Sequence, residues 1–250
     1  MRKLLLLVPV LGACVSSPTQ GEPVVTNVPR LSANGLLPDE ISATALTTDW
    51  LDPELVTVMA DDPDAIAVLR YAVECALDAT QTFAYDADEV HHVITGAMGL
   101  APGWSTGGLS GSEAAWVSAC VFSRANASGT SIVISDRGAV TGLATTSSEL
   151  ANYQIEEGAF WGNLFIDVGD VAAYSCEGVD QAADDTHGDL PLRQCAQWDG
   201  IRNSHKSPCG MNYAGLCSAV CTTSSPYSGC SFLGGAASSA VVTTFLYGTP

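Results

Sequence analysis

Cys209-Gly210-Met211-Asn212-Tyr213-Ala214-Gly215-Leu216-Cys217-Ser218-Ala219-Val220-Cys221-Thr222-Thr223-Ser224-Ser225-Pro226-Tyr227-Ser228-Gly229-Cys230 is the stretch around which the chain is organised. It carries four cysteines, and Cys176 and Cys195 stand shortly before it. With Cys75 and Cys120 upstream they make eight, a count that fits a disulfide framework in an oxidising space. The ninth, Cys14, ends a short apolar leader and has a separate role. No Cys-x-x-Cys occurs and no histidine pair has zinc spacing, so the reading is staples, with no metal and no cofactor. Cys75 and Cys120 fall on inward faces of expected helices, which predicts a bridge between them. Cys176 with Cys195 would close a loop, leaving Cys209, Cys217, Cys221 and Cys230 to pair among themselves. Cys217 and Cys221 lie one helical turn apart if that stretch is helical, so each reaches elsewhere. Each bridge would contribute about 2–4 kcal/mol.

At 250 residues, 47% hydrophobic and 14% charged, the chain can bury a sizeable core and is too apolar for disorder. Its net charge is −18, from 27 acids against 9 bases. Such a body repels nucleic acid and anionic lipid, whose phosphates need Lys/Arg clusters to neutralise them.

Met1-Arg2-Lys3 is a minimal basic start, and Leu4 to Val10 is far shorter than the roughly 20 residues that span a bilayer. The leader ends in Leu11-Gly12-Ala13-Cys14. This resembles the lipobox of bacterial lipoprotein precursors, an aliphatic residue and two small ones before cysteine. The resemblance implies a signal peptide over 1–13, diacylglycerol on the Cys14 thiol, and the membrane as a partner through that anchor alone. Residue 15 is Val rather than Asp. In families where Asp there signals inner-membrane retention, its absence implies export to the outer membrane. Residues 14–35, rich in Ser, Pro, Thr, Gly and Asn, read as a flexible tether. Residues 36–250 read as one disulfide-rich domain.

Within that domain Asp61 or Asp62 caps a helix with Pro63 at its first position. Ile66, Leu69, Val73 and Leu77 mark one apolar face; Val68, Tyr71, Ala72 and Cys75 mark a second, so the helix is buried on both. Thr80 to Ile94 alternates as a hairpin turning at Asp86-Ala87-Asp88-Glu89. Ser110 and Glu113 form a capping box for a helix running to about Ala125, with Trp116, Val117, Cys120 and Val121 inward. Strands are expected over 131–135 and 240–247, and strands or loops over 153–166, 171–176 and 190–195. Helices early and strands late predict an α+β fold, a helical part packed on a mostly antiparallel, disulfide-stapled sheet.

No residue is assigned a catalytic role. Gly103-Trp104-Ser105-Thr106-Gly107 matches the serine-hydrolase pattern but lacks the strand-to-helix setting that chemistry needs. Asp86, Asp88, Glu89, His91 and His92 cluster, yet adjacent histidines on a strand point to opposite faces. Asp180, Asp184, Asp185 and Asp189 with His187 could hold calcium as an adhesion module does, although EF-hand spacing is not met. Glu156-Glu157-Gly158-Ala159-Phe160-Trp161-Gly162-Asn163 is the least bland stretch. Carboxylates beside aromatics suit glycan binding or hydrolysis. Glu156, Glu157, Trp161 and Asn163 are the candidate ligand residues, with Trp161 the solvent-facing ring. Strict alternation places Trp161, Asn163 and Glu157 on one face and Glu156 on the other, unless a glycine bulge re-aims it.

Leu69-Arg70-Tyr71-Ala72-Val73-Glu74-Cys75, Trp116-Val117-Ser118-Ala119-Cys120 and Cys209-Gly210-Met211-Asn212-Tyr213-Ala214-Gly215 resemble stretches of secreted cysteine-rich lipoproteins of gliding bacteria. That resemblance implies location and disulfides and carries no activity. The expectation is an extracytoplasmic, outer-membrane-anchored binding or structural protein with an envelope glycan or protein as partner. An envelope hydrolase on glycan or peptide and a calcium-dependent adhesion module are the alternatives.

Overall fold

The computed structural model describes residues 31–35, 41, 46–49, 51–54, 62–127, 131–165, 172–180, 193, 195–196, 206–223 and 225–248. Cys14 and its leader lie outside the described residues, as do Asp184, Asp185, His187 and Asp189.

Local signals set the helices. Asp62 Oδ1 accepts from the N–H groups of Asp64 and Ala65 at 3.1 and 3.2 Å, and Pro63 opens α1 (Pro63–Ala76). Leu77, in extended conformation, closes it. Val68, Leu69, Tyr71, Ala72, Val73 and Cys75 are all buried, so both apolar faces are used; Ile66 is only partly covered. The hairpin β2 (Thr82–Ala87) and β3 (Val90–Thr95) turns on Asp88 and Glu89 alone, with φ of 49° and 63°. Asp86 and Ala87 belong to the strand, opposite His91 and Val90. A two-residue turn with both φ positive matches the twist of the paired strands, which a longer turn would not need.

At the start of α2 (Gly111–Ser123) the capping box is reciprocal. Ser110 N–H donates to Glu113 Oε2 at 2.8 Å, and Glu113 N–H donates to Ser110 Oγ at 3.3 Å. The helix stops at Ser123, and Trp116 is only partly buried. Cys75 and Cys120 bridge α1 to α2 with Cα atoms 6.0 Å apart, as the two inward faces predict.

The main sheet collects β1 (Leu31–Asn34), β4 (Ile132–Arg137), β5 (Ile155–Asn163), β6 (Ala172–Glu177), β7 (Asn212–Leu216) and β8 (Val242–Leu246) in the order β1-β4-β8-β5-β6-β7. Its pairs are antiparallel except β6 with β7. Two short helices complete the described elements, α3 (Ser147–Asn152) and α4 (Cys217–Val220). The fold is therefore α+β. One expectation changes. Leu31–Asn34 pairs with β4, so the domain begins inside the stretch read as tether. Arg193 and Cys195, in a stretch open to strand or loop, lie outside regular structure.

The sheet has a core on each face. On one, Phe160 and Val242 meet the helices through Phe122, Val117 and Leu164. On the other, Ala159, Trp161 and Val241 meet Cys176, Cys217, Tyr227 and Cys230. This division corrects the expected pairing. Cys176 bonds Cys217, Cys195 bonds Cys209, and Cys221 bonds Cys230. A Cys176–Cys195 bridge is not formed because Cys195 belongs to the helix-side core and Cys176 to the far one, with the sheet between them. Cys217 and Cys221 each reach elsewhere, as expected.

Candidate functional site

The candidate stretch is β5, an interior strand flanked by β8 and β6. Along β8 its register runs Glu156 opposite Phe245 and then Gly158 opposite Thr244, so Glu157 is an extra residue in a bulge. The bulge separates the two carboxylates. Glu156 turns to the far face, where Oε1 accepts from Tyr227 OH at 2.6 Å and from Val179 N–H at 3.2 Å. Asp180 Oδ2 accepts the Glu156 N–H at 2.7 Å and so helps to fix the bulge. Glu157 turns to the helix face, where Thr244 Oγ1 donates to Oε2 at 2.7 Å and Arg193 lies 3.1 Å away.

Glu156 therefore shares a face with Trp161 and Asn163, and Glu157 does not, which reverses the outcome of strict alternation. Both carboxylates are buried, at 4% and 1% exposure, and they do not converge. Burial pushes the Glu157 carboxyl up, against the opposing pull of the Arg193 guanidinium and the Thr244 hydroxyl. Arg193 also donates to the Ser123 carbonyl and lies over the Phe160 ring, 5.5 Å from its centroid. Glu157 and Arg193 are thus a buried tie between β5 and the end of α2. On the far face, burial and the Glu156 carboxylate push the Tyr227 phenol well up, so it stays a donor.

Beyond the bulge, the far face opens into a cleft of about 300 Å³. Trp161 and Tyr174 are cross-strand partners with stacked rings, centroids 5.8 Å apart and planes 26° from parallel. Phe232 continues the row, 5.1 Å from Tyr174 and tilted 30°. Asn163 and Ser238 add polar groups at the edges, and Gly235 and Ala236 leave the mouth uncrowded. Asn163 Oδ1 accepts from Phe165 N–H at 2.9 Å.

One expectation about this stretch is corrected. Trp161 is 3% exposed, so it is the floor of the cleft and not its solvent-facing ring. Stacking against Tyr174 covers it, and the half-buried rings of Tyr174 and Phe232 face the opening. The glycines serve packing. A Cβ on Gly162, at φ +145°, would strike the Ala172 carbonyl, and one on Gly158 would strike the Cys176 carbonyl and Ala196.

The other sequence candidates are placed elsewhere. Ser105 ends a 3-10 turn, Pro102–Ser105, with Oγ 3.4 Å from the Pro102 carbonyl and no strand before it. Asp86 and His91 pair at 2.7 Å on the exposed hairpin, while His92 stacks on Tyr85. Among the described residues, the sulfurs of Cys176, Cys221 and Cys230 are the one close group of three cysteine, histidine or acidic ligands.

Tyr174 and Phe232 escaped the sequence reading. Each lies two residues from a staple, Cys176 and Cys230, but only the β5–β6 register brings Tyr174 to Trp161, and the chain after Cys230 brings Phe232 to Tyr174. The chain matches no family model, no curated protein and no solved structure.

Proposed function

We propose that this chain is a lipid-anchored extracytoplasmic envelope protein that binds an envelope glycan at the Trp161–Tyr174–Phe232 cleft. The observation that supports this reading is the row of three rings in a concavity with an amide and a hydroxyl at its edge. Aromatic faces stack on the apolar faces of sugar rings, and edge polar groups select hydroxyls. The Asn163 carbonyl oxygen is engaged by Phe165, which leaves its NH₂ as the donor for a ligand. The divergence of Glu156 and Glu157 weighs against a hydrolase built on that pair, since both glycosidase geometries need two carboxylates across one bond. The anchor rests on Leu11-Gly12-Ala13-Cys14, and the acidity of the chain, at −18, weighs against nucleic acid as a partner.

The test is a binding screen of neutral glycans and peptidoglycan fragments on the wild type, Tyr174→Ala and Phe232→Ala, with folding checked by circular dichroism. Loss of a stacking ring is expected to weaken binding by about 1–3 kcal/mol, roughly 5- to 150-fold. A ligand held equally by all three removes the cleft from the reading. The anchor is checked separately by fatty-acid labelling of the wild type and Cys14→Ser; equal label in both removes the lipoprotein part.

A further inference from the structure

Two of the four disulfides lie side by side on the far face of the sheet. Cys176–Cys217 ties β6 to the first residue of α4, and Cys221–Cys230 ties the residue after α4 to the loop that leads toward β8. Both bridges secure the same single helical turn, so stapling alone does not require them to touch. Yet Cys176 Sγ lies 3.9 Å from Cys221 Sγ, and the sulfurs of Cys176, Cys221 and Cys230 all lie within 4.8 Å of one another. Access is graded. Cys176, Cys217 and Cys230 are fully buried, while Cys221 is half-buried and is the most accessible residue of the four.

We propose that these four cysteines form a thiol–disulfide relay, in which a dithiol reductant acts at Cys221 and the exchange passes inward to Cys176. A thiolate of the reductant attacks Cys221 Sγ and forms a mixed disulfide. The Cys221–Cys230 bond breaks, and Cys230 leaves as a thiolate that takes up a proton. The second thiol of the reductant attacks its own sulfur in the mixed disulfide and leaves as the oxidised, cyclic disulfide. Two electrons and two protons have then passed to the protein, and Cys221 is a thiolate or thiol. The Cys221 thiolate attacks Cys176 Sγ, the Cys176–Cys217 bond breaks, and Cys217 leaves and is protonated. This last step makes one S–S bond and breaks one, so it moves no net electrons.

The exchanged state holds a Cys176–Cys221 bond, with Cys217 and Cys230 as thiols. Its driving force is small in either direction, because the new bond spans 45 residues where the old one spans 41, and loop-closure entropy hardly distinguishes them. The near contact of the two sulfurs supplies the proximity that makes the intramolecular attack faster than a second encounter with reductant. The relay does not depend on what the neighbouring cleft binds.

Cys230→Ser tests the inner step in isolation, since it leaves one thiol among the three remaining cysteines. The full-length variant, purified without reductant, is quenched in acid, denatured, alkylated and mapped by mass spectrometry. Label is expected on Cys217 and Cys221 in comparable amounts, with Cys176 bonded to whichever of the two is unlabelled. Label confined to Cys221, with Cys176–Cys217 intact throughout, overturns the relay. The wild type gives an independent reading if the variant does not fold. Under limiting dithiothreitol, the two-thiol species of this cluster are expected to include one labelled on Cys217 and Cys230 beside one labelled on Cys221 and Cys230. Accumulation of the Cys221 and Cys230 species alone overturns the proposal.

Discussion

The two faces of the main sheet are built on different principles. On the helix face, α1 and α2 deliver long apolar stripes, and Phe122, Leu69, Leu77 and Phe160 are fully buried there. Among the described residues, the far face has no such helix. A four-residue turn, a loop and the chain around Tyr227 cover it, and three of its seven buried core residues are cysteines. Each face nevertheless carries two disulfides. Where amphipathic helices supply the core, a crosslink adds to a structure that packing already specifies. Where they do not, the crosslinks hold the covering segments in place, because those segments bury too little apolar area to offset their own ordering entropy.

One comparison would break this account or sharpen it. Cys75–Cys120 and Cys176–Cys217 close loops of nearly equal length, 45 and 41 residues, and chain entropy assigns each about 4 kcal/mol. Any difference between Cys75→Ala/Cys120→Ala and Cys176→Ala/Cys217→Ala therefore reports the packing around the bond. The helix-face variant is expected to keep protected amides throughout. The far-face variant is expected to lose hydrogen-exchange protection in β7 and α4 while α1 and α2 stay protected. Equal and uniform loss in both variants would mean that the two faces are not distinct.

A smaller effect is expected from Gly162→Ala at the rim of the cleft. The residue sits at φ +145°, and its Cβ would meet the Ala172 carbonyl and the Phe122 ring, so both faces feel the change. A loss of about 1–3 kcal/mol in urea unfolding is expected from the backbone conformation alone. No loss would mean that β5 and β6 can part there, and the packing role given to this glycine would fall.

Ser110→Ala affects only the helix face and is expected to cost about 1 kcal/mol. Its pH dependence has a definite sign. Hydrogen bonds from the Ser110 hydroxyl and N–H hold the Glu113 carboxyl below its ordinary range. A carboxyl depressed in the folded state contributes stability above its unfolded value and loses it as pH falls through the folded one. The gap between wild type and variant should therefore narrow as pH falls below about 4. A gap that widens in acid would show that Glu113 is not the partner that matters.

How much of this was legible follows the same division. The Ser110 cap, a cap at Asp61 or Asp62 and the double-faced α1 could be read directly, because each rests on residues within one or two helical turns. The Cys75–Cys120 bridge joins residues 45 apart and was legible because both thiols fall on inward helix faces. The α+β class followed from the order of patterns along the chain. The far face was much less legible. That Glu156 and not Glu157 joins Trp161 depends on a one-residue shift against β8, which strict alternation cannot show.

The sequence by itself determined α1 and α2 with their N-terminal caps, since these depend on side-chain spacing along a single segment, and the cysteine count determined the number of staples. Only the tertiary structure decided which cysteines meet, that Trp161 is covered while Tyr174 and Phe232 face the cleft, and that Cys176 touches Cys221. Those outcomes depend on strand register and on which side of the sheet each connection passes. A one-residue shift in register exchanges the two faces of a strand without changing its composition or pattern.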